Sequence, residues 1–286
     1  MGPPRLRPPG TPAHPRRPPP GGPPVIEHLL PAGAFSRAAY GTELDQAPLH
    51  PEEIAAVARA VPKRRHEYAA GRACARAALA RLGVPPGPLL RDPHRGAPQW
   101  PAGVVGSITH CEGYRAAAVA RSTDILTLGI DAEPHDRLPD GVLDAIVATD
   151  AERAALAELA LRAPDIHWDR LFFSAKETVY KAWYPYHHRF LSFQEAELLF
   201  TAGPDGTDTG TGTGTGTDAG TADRRAPGGE ALAVTGLGGY TARVLLPGPL
   251  LADGVGPEVF TGRWIVRDGL LATAIAVPAE DGAPAA

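Results

Sequence analysis

Two stretches of this chain have almost nothing with which to build a core, and they fix how much of it can fold. Residues 1–24 hold eleven prolines, four glycines and four arginines. So little apolar surface cannot offset the entropy lost on ordering a backbone, and this tail is expected to be disordered. Residues 203–229 contain TDTGTGTGTGTDAGTAD, glycine and threonine without one large side chain, and are expected to form a disordered insertion. With the short tail 279–286 (AEDGAPAA) also set aside, about 230 residues remain, the size of one globular protein in two halves. We place those halves at 25–130 and 131–278. The sequence itself shows no internal repeat.

Several classes fall away. No apolar run approaches the roughly 20 residues of a membrane helix, and the N-terminal arginines precede no apolar segment of a secretory signal. Two cysteines, Cys74 and Cys111, are too few for a disulfide scaffold, so a reduced, cytoplasmic compartment is expected. A net charge of −4 argues against a general nucleic-acid binder. Yet Arg59 to Arg95 carries nine Lys or Arg against Glu67 and Asp92. That local excess suits a polyanionic ligand or an acidic partner, though a solvated helix face accounts for it equally well.

Alternation and turn residues predict strands at 25–30 (VIEHLL), 104–110, 114–120 and 126–133, then at 193–200, 240–246 and 263–277. Helices are predicted at 51–60, at 63–82 with Gly83 as the stop, across 138–161 with Asp150 capping the second piece, and at 168–187. Such a mixture gives an α/β or α+β fold.

Four groups of residues could carry chemistry. Asp131 and Glu133 follow the apolar run LTLGI, and residues two apart on a strand share a face, so both carboxylates can meet one cation. Hard oxygen donors favour Mg²⁺ or Mn²⁺. The plain alternative is a pair of exposed carboxylates at a strand end. In FFSAKETVYKAW, Glu177 and Lys181 are four apart on a helix. A surface ion pair would explain them, but Phe172, Phe173, Tyr180 and Trp183 crowd the same segment. Charges there need a reason: a third metal carboxylate, and a lysine for a phosphate. In PKRRHEYAAGRACAR, Arg65, Arg72 and Arg76 fall on one helical face, with Arg64 about 80° from Arg72. Guanidinium groups match phosphate oxygens. His110 ends the strand Ser107-Ile108-Thr109-His110, where it could donate to a phosphate or serve only the structure.

In this order the segments KRRHEYAAGRACARAAL, GAPQWPAGVVGSITHCEGYRAAAV, GIDAEPHDRLPDGVLDAI and HWDRLFFSAKETVYKAWYP resemble the 4′-phosphopantetheinyl transferases of the Sfp/EntD type. GIDAE, a preceding S-x-T-H and a downstream F-x-x-K-E-x-x-x-K are a specific combination. The resemblance spans roughly Lys63 to Pro185 and weakens through the C-terminal strands.

It implies a monomer of two similar α/β halves in pseudo-twofold arrangement, with coenzyme A between them. Asp131, Glu133 and Glu177 would bind Mg²⁺. Arg64, Arg72 and His110 would contact the coenzyme A phosphates, Lys181 the pyrophosphate, and Thr109 would line the nucleotide site. Arg91 and Arg95 fall in a loop that is basic in relatives. Helical geometry favours Arg65 and the motif Arg64; a helix starting after Arg65 would reconcile them. The implied reaction moves phosphopantetheine from coenzyme A to a serine of an acidic apo carrier protein and releases 3′,5′-ADP. Glu177 would act as base, metal ligand or both, with Lys181 beside it. Polyketide, peptide-synthetase, siderophore and fatty-acid carriers are all admitted. Two rivals stand beside this reading. A metal-dependent nuclease would want E-x-K, but Pro134 and His135 follow Glu133. A non-catalytic nucleotide-binding module would need the arginines but not three carboxylates.

Overall fold

The computed structural model describes residues 24–202 and 234–279. The expected tails and the insertion lie outside these residues, apart from Pro24 and Ala279. Among the described residues eight strands form two antiparallel sheets, accompanied by five α-helices. The chain runs β1 (Phe35–Tyr40), α1 (Pro51–Val57), α2 (Pro62–Arg81), β2 (Val104–Cys111), β3 (Tyr114–Arg121), β4 (Ile125–Pro134), α3 (Val142–Ile146), α4 (Asp150–Arg162), α5 (Trp168–His187), β5 (Ala196–Ala202), β6 (Val234–Val244), β7 (Phe260–Arg267) and β8 (Leu270–Pro278). The smaller sheet has the order β1-β3-β2 and the larger β4-β8-β7-β6-β5. Mixed α/β architecture is therefore as the sequence implies. Strand β4 pairs with β8 along Ile125–Pro134.

Each sheet takes one 20-residue helix. Helix α2 packs Cys74, Ala75, Ala78 and Leu79 against Ala117 and Val119 of β3. The alternate residues Ala116, Ala118 and Ala120 face Leu128, Ile130 and Ala132 of β4. Strand β3 is thus buried on both faces, which is why YRAAAVA is small and apolar throughout. Helix α5 buries Leu171, Phe172, Ala175, Val179, Ala182 and Trp183, spaced three and four apart.

Four local expectations are corrected. Residues 26–29 form a 3₁₀ turn, because the buried Ile26 and Leu29 lie three apart, the period of that helix. The first strand is Phe35–Tyr40, and 193–195 is another 3₁₀ turn. The expected strand 263–277 is a hairpin: Asp268 and Gly269, at φ 53° and 78°, turn β7 into β8 with Arg267 opposite Leu270. Asp-Gly is the signature of that turn. Thr149, not Asp150, caps α4, its hydroxyl accepting from the Glu152 amide at 3.2 Å.

Gly129 brings α5 down onto β4. A Cβ there would meet the Thr178 carbonyl oxygen at 2.5 Å and the Ala182 nitrogen at 3.0 Å. Thr127 fastens the same contact, donating to the Ala182 carbonyl at 2.6 Å. Gly129→Ala is therefore expected to cost about 1–3 kcal/mol through overpacking. The check is a denaturant titration, and a midpoint equal to that of the unsubstituted protein would refute it.

Candidate active site

The two sheets meet where β2 runs beside β4 without a backbone ladder, and side chains replace it. The Ile130 amide donates to Ser107 Oγ at 3.1 Å, and the Ala132 amide to Thr109 Oγ1 at 3.0 Å. Thr109 then donates to Asp131 Oδ1 at 3.0 Å. From α5, Lys181 Nζ reaches the same oxygen at 2.7 Å and the Ile130 carbonyl at 3.2 Å. Asp131 is buried, and its second oxygen, Oδ2, has no hydrogen-bond partner. An unpaired buried carboxylate oxygen is costly and calls for an explanation.

Burial and the Asp131 charge push the Glu133 carboxyl up to about 7, with Arg170 opposing. Arg170 Nη1 stands 3.2 Å from Glu133 Oε2. Burial likewise raises the Glu177 carboxyl, against the pull of Lys181 and with the push of Asp131. Among the described residues no three histidine, cysteine, aspartate or glutamate side chains could hold a metal ion as they stand. Like charges repel, and the two carboxylates of β4 take separate cations: Lys181 for Asp131, Arg170 for Glu133. The donors still fit Mg²⁺, which takes hard oxygens and commonly only one or two carboxylates alongside phosphates and water. Asp131 Oδ2 is the oxygen left for it.

Comparison with known proteins decides the class. A family model for the 4′-phosphopantetheinyl transferase N-terminal domain matches residues 50–120. A second, for the 4′-phosphopantetheinyl transferase superfamily, matches residues 127–233. The chain is 51% identical to the 4′-phosphopantetheinyl transferase Svp of Streptomyces mobaraensis, over 90% of its length and 91% of that protein. The chain belongs to the 4′-phosphopantetheinyl transferase family. The transferase is also 41% identical to the 4′-phosphopantetheinyl transferase PptT of Mycobacterium tuberculosis, over 88% and 97% of the two chains. A stretch of 122 residues is 36% identical to enterobactin synthase component D of Salmonella typhi, covering 42% and 48%. These matches make the protein a transferase enzyme and favour neither rival reading. Among its described residues no helix is long and apolar enough to cross a membrane.

The basic residues of the transferase divide into those that face the cleft and those already engaged. Helix α2 starts at Pro62, so both Arg64 and Arg65 are helical, and the expected start after Arg65 does not hold. Pro at the first position supplies the reason, since it needs no amide partner there. Arg64 Nη1 lies 2.6 Å from His110 Nε2 and 3.5 Å from Glu67. Guanidinium only donates, so His110 accepts at Nε2, and burial with the Arg64 charge lowers its pKa. Arg65 turns away, donating to the Ala58 and Ala60 carbonyls at 2.8 Å. The motif's choice of Arg64 is therefore the one that reaches the strand of His110. Arg76 pairs with the buried Glu53 at 2.9 Å. Arg72 is buried over the Tyr68 ring and donates to the Leu89 carbonyl at 2.8 Å, and burial lowers its pKa. The local basic excess is thus partly spent inside the fold.

A cavity of about 370 Å³ opens between β2, the loop before it and α5, lined among others by Arg95, Trp100, Ser107, Glu177, Lys181 and Tyr184. Arg95 lies over the Phe190 ring at 5.0 Å. Arg91 packs on Gly96 in the same loop and adds its charge to the surroundings of Arg72. Thr109 holds Asp131 rather than the cavity wall. Lys176 points away into the core, to Glu152 at 2.9 Å and the Phe193 carbonyl at 2.8 Å. Sequence reasoning missed Glu53, Glu152 and Arg170, whose partners are remote. Acidic residues at apolar helix starts were the available signal.

Proposed function

We propose that the transferase moves 4′-phosphopantetheine from coenzyme A to a serine of apo acyl or peptidyl carrier proteins, with Mg²⁺ and release of 3′,5′-ADP. A monomer in the cytoplasm fits its two free thiols, Cys74 and Cys111. The observation that carries the reading is Asp131. It is held by Thr109 and Lys181 at the seam of the two sheets, with one buried oxygen unpartnered.

The residues then divide the work. Asp131, with Glu133 and Glu177, would hold Mg²⁺, which when bound offsets charge on the pyrophosphate. Lys181 adds a positive charge at the same place. Arg64, Arg72 and His110 take the phosphates at one end of the ligand, and Arg91 and Arg95 approach from the loop. The serine oxygen forms a bond to the β-phosphorus as the bridge to 3′,5′-ADP breaks, the bonding electrons leaving with that nucleotide. Glu177, which lines the cavity beside Lys181, takes the serine proton, directly or through water. Positive charge around Arg95 suits an acidic carrier.

The test is mass spectrometry of an apo carrier protein incubated with coenzyme A, Mg²⁺ and the transferase. A gain of one phosphopantetheine supports the reading, and an unchanged carrier mass overturns it. Arg64→Ala is expected to weaken coenzyme A by about 10- to 150-fold, the worth of a hydrogen bond to a charged group. Dephospho-coenzyme A, which lacks the 3′-phosphate, should lose far less. Titration calorimetry checks this, and equal losses with both ligands would count against a 3′-phosphate contact.

A further inference from the structure

Asp92 stands at the centre of the loop between α2 and β2. Its backbone amide donates to the Ala97 carbonyl at 2.7 Å and its carbonyl accepts from Gly96 at 2.9 Å. Its Oδ1 accepts the His94 amide at 2.6 Å. A bridge between Arg91 and Pro98 closes the loop, and Gly96, at φ 77°, leaves room for the Arg91 side chain against it. The other carboxylate oxygen, Oδ2, accepts the hydroxyl of Tyr184 on α5. Lys181 follows Glu177 by four residues and Tyr184 follows Lys181 by three, so all three lie on one stripe of that helix. All three line the cavity that Asp92 and Arg95 also line. One carboxylate therefore orders the loop with one oxygen and ties it to the catalytic helix with the other.

The geometry points to Asp92 and Tyr184 as positioning residues. Their hydrogen bond fastens the loop that carries Arg95 to the helix that carries Glu177 and Lys181, and so sets the grip of the cleft on the phosphates of coenzyme A. This rests on the coenzyme A reading above. The Tyr184 ring is buried and packs against Tyr180 at 5.6 Å, so removing only its hydroxyl leaves the packing of α5 intact. The tie spans 92 residues of sequence, and without it Asp92 keeps only a longer contact to α5, His188 Nδ1 at 4.0 Å, while the Arg95 guanidinium rests on the Phe190 ring.

Tyr184→Phe tests the pair in two readouts. In the ligand-free protein, the amides of residues 94–96 should exchange hydrogen faster while those of α5 do not change. Coenzyme A affinity should fall about tenfold, the effect of one hydrogen bond, with turnover at saturating coenzyme A within about twofold. In an Arg95→Ala background the same substitution should weaken coenzyme A by less than about twofold, since Tyr184 then has no Arg95 to place. Asp92→Asn, which keeps an acceptor, should lose less than Asp92→Ala. Unchanged loop exchange in Tyr184→Phe would overturn the tie. An equal affinity loss with and without Arg95 would overturn the positioning role. Failure of the unsubstituted protein to bind coenzyme A would overturn the substrate reading, a result told apart because exchange is read without ligand.

Discussion

Glu177→Gln is expected to keep the fold and to lose turnover by roughly 10²–10⁴-fold, the usual worth of a positioned general base. Glutamine preserves length and helix propensity, and Glu177 sits on the cleft face of α5, lining the cavity. What changes is charge. Burial and the Asp131 carboxylate raise the Glu177 pKa while Lys181 opposes them, so removing the negative charge relieves repulsion within the site and should not destabilise it. The two roles separate by titration with Mg²⁺. If Glu177 acts chiefly as a ligand, Mg²⁺ affinity falls and excess Mg²⁺ restores part of the rate. If it acts chiefly as the base, Mg²⁺ and coenzyme A still bind and transfer stays slow. We expect both effects together, weaker metal binding and slow transfer at saturation. Asp131→Asn is the comparison, because it leaves Glu177 intact and should behave as a loss of ligand alone. Transfer by Glu177→Gln at the unsubstituted rate would remove the residue from the mechanism.

Glu152→Ala is expected to cost about 3–5 kcal/mol of stability, the penalty for stripping one partner from a buried ion pair. Glu152 and Lys176 are both buried. The Glu152 carboxylate accepts from Lys176 Nζ at 2.9 Å and from the Ala148 and Leu198 amides at 2.6 Å each. It therefore joins α4, α5 and β5 at one point. Burial already lowers the Lys176 pKa from its ordinary 10.5, while Glu152 holds it up. Without Glu152 it should fall further. The unfolded chain then binds the proton more tightly than the folded one, so stability rises with pH between the lowered value and about 10.4. The deficit of Glu152→Ala should accordingly narrow as pH rises through that window. Denaturant titrations at two pH values check both claims, and a loss below about 1 kcal/mol at neutral pH would contradict the buried-pair account.

Local features were legible in the sequence. The apolar period over 168–187 matches α5 at both ends, because a helix facing a sheet must repeat its apolar residues every three to four positions. The strand with Asp131 and Glu133 was readable from the apolar run before it and the two-residue spacing that puts both on one face. Elements too short to show a period were not: the 3₁₀ turn at 26–29 rests on four residues and the hairpin turn on Asp268 and Gly269. The Asp-Gly signal was present, but the apolar residues on either side blended into one run.

Partner choice was decided only by the tertiary structure. Summed along the chain, Arg59 to Arg95 is strongly basic, yet Arg76 spends its charge on Glu53, 23 residues away, and Arg65 on backbone carbonyls. Arg64 and Arg65 leave α2 in different directions, and it is Arg64 that meets His110, 46 residues on. Lys176 and Lys181 are alike in the sequence, but one enters the core and the other the cleft. A charged side chain reads its neighbours in space, and its energy depends on burial and on partners within about 4 Å. The sequence alone determined the family's motifs, the helical and strand periods that present them, and the residue types able to meet a polyanion. Which oxygen of Asp131 stays unpartnered, and which cation each carboxylate takes, were fixed only when Gly129 let α5 close on β4 and Thr109 joined the two sheets.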